Sequence, residues 1–418
     1  MRAAGRERQA DVYLGTIRGR RSRVPFAPAK LEEQARLLLP PEAFAYIAGG
    51  AGAELTMRAN RAAFARRRIV PRVLRDVSQR DLAVEILGRR LAAPLLLAPI
   101  GVLEVAHRDA DLAVARAAAA YGVPFVLSSQ ASVPIETCAE AMGDAPRWFQ
   151  LYWSTSNELV ESFVRRAERC GCEALVVTLD TTMLGWRCRD LDVGYLPFLY
   201  GKGIAQYTSD PVFQALLDEA GEAPAPGGKL TATAVRALVA TSRAYPGSLL
   251  RNLRSRRPRD AVRTFIEIYS RPSLTWDDLS FLRGLTTMPL VLKGVLHAED
   301  AVRAVDRGVD AVWVSNHGGR QVDGAIASLD ALPAIASAVA GRVPVLLDSG
   351  IRGGADVVKA LALGATAVCL GRPYAYGLAI GGEQGVAEVI ANVQAELDLT
   401  LGLSGFASLA ELTPDVIA

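Results

Sequence analysis

Histidine, lysine and cysteine are scarce in this chain, and each scarcity narrows what it can be. Among 418 residues there are three histidines (His107, His297, His317) and five cysteines (Cys138, Cys170, Cys172, Cys188, Cys369). None falls in the paired spacing of a metal site, so no metal is expected. The cysteines are odd in number, and Cys170-Gly171-Cys172 lies where a helix should stop. Local packing in a reduced, cytoplasmic protein is expected rather than a disulfide framework. Five of the 47 basic residues are Lys (30, 202, 229, 293, 359), which makes each lysine conspicuous. Against 44 acidic residues the formal charge is only +3, a balance that argues against nucleic acid as the main partner. A long apolar run is also missing. The most apolar stretch, 91–106, is broken by Pro94, Pro99 and Glu104 and is too short to span a bilayer. The opening residues lack the apolar segment of a signal peptide, so a protein without a membrane span is expected.

What is present is a repeating unit. Half of the residues are hydrophobic, enough for a sizeable core. An amphipathic helix, then Gly, then a short apolar strand ending in polar residues recurs at 115–128, 159–180, 301–315 and 356–372. Glycine is the natural stop for each helix. Adding the runs 95–98, 148–152, 290–293 and 345–348 gives eight strands alternating with helices. Strands apolar on both faces and separated by helices imply a parallel sheet. Eight such units imply a closed (β/α)₈ TIM barrel, an α/β fold. An open doubly wound sheet is the alternative, but no G-x-G-x-x-G loop follows the first strand. Residues 1–30 are Arg-rich and aperiodic, which reads as a flexible arm preceding a barrel domain over 31–418. A helical lead-in over 31–90 should cover the barrel bottom. After the fourth strand comes an insertion, about 186–288, far longer than an ordinary loop. Its centre, 221–228 (Gly-Glu-Ala-Pro-Ala-Pro-Gly-Gly), reads as a mobile linker within a lid over the catalytic face.

In such barrels chemistry sits at the carboxyl ends of the strands. Read in order, those ends supply Pro99-Ile100-Gly101, Ser128, Gln150 with Tyr152, Thr178 with Asp180, Lys293, Ser315 with His317 and Arg320, Asp348, and Gly371-Arg372. Any one alone could be a capping or solvated residue. Eight coinciding ends are harder to dismiss. Lys293 closes an apolar run, where an unpaired ammonium is costly unless it snorkels to the rim. Ser315-Asn316-His317-Gly318-Gly319-Arg320 delivers a base, a cation and two glycines at one strand end. A capping histidine in a tight turn would explain His317 by itself; proton abstraction from an anionic substrate would explain the whole group. The glycine and arginine content of 348–354 and 371–372 suits a phosphate-bearing cofactor.

These residues at these positions resemble the FMN-dependent 2-hydroxy acid oxidases and dehydrogenases, from about residue 31 to the C-terminus. Ser-Asn-His-Gly-Gly-Arg-Gln at 315–321 and Asp-Ser-Gly-Ile-Arg at 348–352 carry the likeness. Within that family the chain is most similar to lactate 2-monooxygenase, through Ala-Tyr-Ile-Ala-Gly-Gly at 45–50, Thr-Leu-Asp-Thr at 178–181, Leu-Gly-Trp-Arg at 184–187 and Gly-Arg-Pro-Tyr-Ala at 371–375. The resemblance implies FMN as cofactor and oxidation of a small, lactate-like L-2-hydroxy acid, with O2 or another electron acceptor. Oxidative decarboxylation of the product, or action on a bulkier acid such as mandelate, are the branches it leaves open. It implies His317 as the base and Asp180 as the partner of its imidazolium. Arg187 and Arg320, with Tyr46, would grip the carboxylate, and Tyr152 would bond the hydroxyl. Lys293 would stabilise the reduced flavin ring. Pro99, Ile100, Gly101, Ser128, Gln150 and Thr178 would hold the ring. Ser315, Asp348, Gly350, Arg352, Gly371 and Arg372 would hold ribityl and phosphate. A homo-oligomer, tetramer or octamer, is expected on the same ground. Three positions depart from the family pattern: Gly101 where many members have Ala, Gln130 where an aromatic or aliphatic residue is usual, and Cys188 after Arg187. Met183 and Leu184 are the expected neighbours of Gln130. A degenerate barrel acting as a scaffold is the non-enzymatic reading, which the intact polar rim opposes.

Overall fold

The structure is a computed structural model that describes residues 4–219 and 231–418. Eight short strands form its centre: β1 (Leu95–Leu97), β2 (Phe125–Ser128), β3 (Arg147–Leu151), β4 (Leu175–Thr178), β5 (Leu290–Val295), β6 (Ala311–Val314), β7 (Val345–Leu347) and β8 (Ala367–Leu370). They pair in parallel and in sequence order, and β8 pairs back onto β1 to close the barrel. That closure excludes the open sheet.

Successive strand residues point to opposite faces, and here both faces are buried. Leu96, Val126, Val176, Val291, Trp313 and Leu346 fill the interior. Their neighbours Leu97, Leu127, Val177, Leu292, Val314 and Leu347 pack outward under the helices. Two-sided burial is why the strands read as unbroken apolar runs. The helices Ala110–Tyr121, Asn157–Arg169, Ala298–Asp306 and Gly354–Ala362 lead into β2, β4, β6 and β8. Gly122, Gly171, Gly308 and Gly364 stand just beyond them in left-handed backbone conformation, as helix stops.

The lead-in divides between the two ends of the barrel. A hairpin, Val84–Ile86 with Arg89–Leu91, carries Ile86 and Leu91 into the interior cluster, and Arg89 pairs with Glu173 just before β4. This hairpin is the floor. The helices Pro41–Ala48 and Leu55–Arg66 instead reach the opposite rim, where Tyr46 lines the cavity and Asn60 bonds to Asn316. Only part of 31–90 therefore covers the bottom.

Where the sequence predicts a flexible arm over 1–30, the chain forms the helix Ala4–Ile17, docked on the last helix, Arg372–Leu403. The Gly5 N–H donates to Asp398 at 2.9 Å and Arg8 to Asn392 at 2.8 Å. A side chain at Gly5 would collide with Leu399 and the Ala395 carbonyl. The docking uses close backbone approach, which leaves no apolar periodicity to read. The insertion is likewise a folded cap among its described residues. It contains the helices Pro211–Glu219, Ala232–Ala244 and Arg257–Ile268, and Phe198 and Tyr207 pack against Phe265 at 5.0 and 4.8 Å. The linker expected at 221–228 lies outside the described residues. No helix among those described is long and apolar enough to cross a membrane.

Ile86 is 1% exposed within the barrel floor. Replacing it with Ala should cost about 2–5 kcal/mol in urea unfolding. An unchanged unfolding midpoint would show that the hairpin does not support the barrel.

Candidate active site

After β6 the chain enters a tight turn, His317–Gly319, with His317 at φ 57°. A non-glycine residue in left-handed backbone must be held there by its surroundings. The Asn316 side chain accepts from the Gly319 N–H at 3.1 Å, and it exchanges two hydrogen bonds with Asn60 at 2.8 and 2.7 Å. The Gly318 N–H donates to Ser349 at 2.9 Å. The imidazole is thus presented by a fixed loop.

Asp180 Oδ1 lies 2.8 Å from His317 Nδ1, with the Thr181 hydroxyl 3.3 Å from the same nitrogen. A carboxylate at Nδ1 places the ring proton there and leaves Nε2 as the acceptor. Burial drives the His317 pKa below its ordinary value, and this outweighs the pull of Asp180. The resting imidazole is neutral. Burial alone would raise the pKa of Asp180, but His317 and Lys293 outweigh it and bring it down to about 2. Asp180 is seated by Gly294, whose φ is 106° and whose Cβ would stand 2.8 Å from that of Asp180.

Register delivers the rest. Thr178 pairs with Lys293, and Lys293 with Trp313, so these residues share one level of the barrel. Lys293 Nζ donates to Ser315 at 3.0 Å and lies 3.5 Å from Asp348 and 3.8 Å from Asp180. Burial opposes its charge, yet the two carboxylates prevail and raise its pKa. Lys293 is an ammonium.

Four guanidiniums complete the cavity, and none has a carboxylate within ion-pair distance among the described residues. Arg187 donates to Gln321 Oε1 at 3.0 Å and the Arg320 carbonyl at 3.3 Å. Arg320 donates to the Gly49 carbonyl at 2.8 Å and lies 5.2 Å from the Tyr46 ring centre. Burial, with Arg187 and Arg372 nearby, lowers its pKa to about 9. Arg372 is held by the carbonyls of Ile47, Gly49 and Gly318. The Arg352 guanidinium donates, among the described residues, only to the Ile351 carbonyl, and burial and Arg372 lower its pKa to about 10. Buried cations without protein counter-charge fit anionic ligands. Burial raises the pKa of both Tyr46 and Tyr152, so both remain neutral hydroxyls.

Lysine, arginines and histidine face one open cavity of about 1060 Å³. Tyr46, Pro99, Ile100, Gly101, Tyr152, Asp348, Gly350 and Gly371 also line it. Ser128, Gln150, Thr178, Ser315 and Asp180 stand behind the wall rather than on it. Ser128 donates to Gln150 at 3.0 Å, while Gln150 Nε2 and Thr178 Oγ1 are buried without a partner. Such orphans at the barrel rim, with guanidiniums at 352 and 372 that bond carbonyls but no carboxylate among the described residues, fit a polar ring system carrying a phosphate.

The comparisons with known proteins agree. The FMN-dependent dehydrogenase family matches residues 35–418. The chain belongs to that family. Its cofactor is FMN, and its chemistry is FMN-dependent oxidation of 2-hydroxy acids. It is 41% identical to an L-lactate oxidase of Lysinibacillus sphaericus, covering 93% of this chain and 91% of that one. With an FMN-dependent alpha-hydroxy acid dehydrogenase of Penicillium citrinum it shares 42%, over 97% and 94%. A crystal structure of mandelate oxidase with (S)-4-hydroxymandelic acid superposes with a TM-score of 0.77 at 36% identity, covering 94% of this chain and 98% of that one.

Sequence reasoning missed several members of this family site. Phe198 and Tyr269 reach the wall from the insertion, whose fold gave no signal. Thr181 and Gln321 belong to the motifs at 178–181 and 315–321, but sequence reasoning gives them no role in the site. Gln321 donates to the carbonyls of Asp180 and Met183 at 2.9 and 3.0 Å while holding Arg187. Of the two expected neighbours of Gln130, Leu184 lines the same cavity as that residue, whereas Met183 is off its wall and 67% exposed.

Arg352 has the weakest protein anchorage of the four guanidiniums. Arg352→Met should weaken FMN binding about 10- to 100-fold, the worth of one charged hydrogen bond, without lowering the melting temperature of the apoprotein. Unchanged FMN affinity would show that Arg352 does not face the phosphate.

Proposed function

We propose that this enzyme oxidises a small L-2-hydroxy acid of lactate size to the 2-oxo acid and passes the electrons to O2. One observation carries the reading: a neutral, carboxylate-clamped His317 shares its cavity with Arg187 and Arg320, two cations with no carboxylate within ion-pair distance among the described residues. An anionic substrate would supply the missing charge. In this reading Arg187 and Arg320 hold its carboxylate, aided by Tyr46, and Tyr152 bonds its hydroxyl. His317 Nε2 takes a proton from the hydroxyl-bearing centre, and Asp180 stabilises the imidazolium that results. Bound FMN supplies the acceptor for the electron pair. Lys293, kept protonated by Asp348 and Asp180, places positive charge beside the ring. Pro99–Gly101, Ser128, Gln150 and Thr178 seat the ring. Ser315, Asp348, Gly350, Arg352, Gly371 and Arg372 seat the ribityl phosphate.

The likeness to L-lactate oxidase supports a lactate-sized substrate. The insertion, which gives Phe198 and Tyr269 to the cavity wall, suits retention of the 2-oxo acid long enough for its oxidative decarboxylation, as in a lactate 2-monooxygenase. A bulkier substrate such as mandelate is the second reading. The likeness to mandelate oxidase favours it.

Aerobic turnover of L-lactate and (S)-mandelate, with oxygen uptake and products measured, separates these readings. The expected outcome is faster uptake with L-lactate and acetate as the main product. Pyruvate with stoichiometric hydrogen peroxide would contradict retention. Uptake with mandelate alone would favour the second reading, and uptake with neither would overturn both.

A further inference from the structure

Gln130 is a polar side chain that the chemistry above does not use. Its backbone is pinned at both ends: its N–H donates to Ser128 at 3.0 Å, and its carbonyl accepts from the Val102 N–H at 2.9 Å. The side chain is only 7% exposed and lines the substrate cavity, and no residue among those described hydrogen-bonds its amide, whose atoms open on the cavity instead. An amide turned into a largely enclosed cavity is free to bond whatever enters it. Gly101, which stands against its side chain, has no side chain of its own, and the same cavity is lined in part by the apolar Leu184, Phe198 and Ile100. Gly101 is what lets the amide lie there, because a Cβ at that position would stand 3.0 Å from the Gln130 Cβ and 3.4 Å from its Oε1.

We propose that Gln130 selects 2-hydroxy acids bearing a second hydroxyl beyond C2, and disfavours those ending in a bare alkyl or aryl group. This rests on the 2-hydroxy acid reading above and narrows its substrate class. A primary amide carries both donor and acceptor, and so does a hydroxyl, so one substrate hydroxyl can satisfy the group from either side. A site built to bond a hydroxyl discriminates strongly against the analogue lacking it, because its own polar group is then left unpaired. L-glycerate and L-lactate differ by that one oxygen. They are the direct probe.

The experiment measures kcat/KM for anaerobic flavin reduction of the holoenzyme by L-glycerate and by L-lactate. Wild type, Gln130→Leu and Gln130→Met are compared, with the pair (S)-4-hydroxymandelate and (S)-mandelate run beside them. The expected result is a wild-type preference of about tenfold or more for the acid with the extra hydroxyl. Both variants should lose it, chiefly through KM for the hydroxylated acid. Using a ratio makes the result independent of any general loss of activity, and two variants guard against one that misfolds. Wild-type preference for the plain acid in both pairs, or a ratio that neither variant moves, overturns the proposal and leaves the amide solvated by water. Flavin reduction by none of the four acids overturns the 2-hydroxy acid reading and this inference together.

Discussion

An excess of buried positive charge at one end of the barrel is the constraint on which the rest of the site depends. Lys293, Arg187, Arg320, Arg352 and Arg372 face a cavity on whose wall Asp348 is the one carboxylate among the described residues, with Asp180 just behind it. Isolated cations in such a place are expensive, so the fold supplies partial charge instead. The carbonyls of Ile47 and Gly49, at the carboxyl end of the helix Pro41–Ala48, accept from Arg372 and Arg320. That is the negative end of a helix turned toward cations. Such partial charges hold the guanidiniums in place without cancelling them. A carboxylate substrate and a phosphate cofactor complete the balance.

The same electrostatics sets the state of His317. Surrounded by cations and buried, it stays neutral even though Asp180 touches it. Asp180, pulled well below the carboxylate range, cannot take the ring's proton at any working pH. The pair therefore has one direction of use: Nε2 accepts, and the imidazolium that follows is stabilised by a carboxylate already in contact.

The eight strands were legible because a parallel barrel buries both faces of each, leaving apolar runs that end in polar residues at a common rim. His317, Lys293 and the two glycine-arginine loops could be singled out from position alone. The fold of the insertion could not, since its helices pack on one another through Phe198, Tyr207 and Phe265, residues that look like any core. The N-terminal helix was hidden for a different reason: it docks through Gly5, and a glycine contact leaves no periodicity. Clamps such as Asn60 with Asn316, 256 residues apart in sequence, exist only once the chain is folded. The lead-in misled because two of its helices travel to the rim while its hairpin stays at the floor.

The central claim is that His317, held neutral by burial and oriented by Asp180, is the base of the reaction. Rapid mixing of the anaerobic holoenzyme with L-lactate across pH, for wild type and His317→Ala, tests it most directly. A lowered pKa keeps the imidazole unprotonated below the ordinary histidine value of about 6.5, so wild-type flavin reduction should persist through that pH and decline only beneath it. The variant should keep its FMN and lose reduction by about 100- to 10,000-fold. A variant that reduces flavin near the wild-type rate would contradict the account.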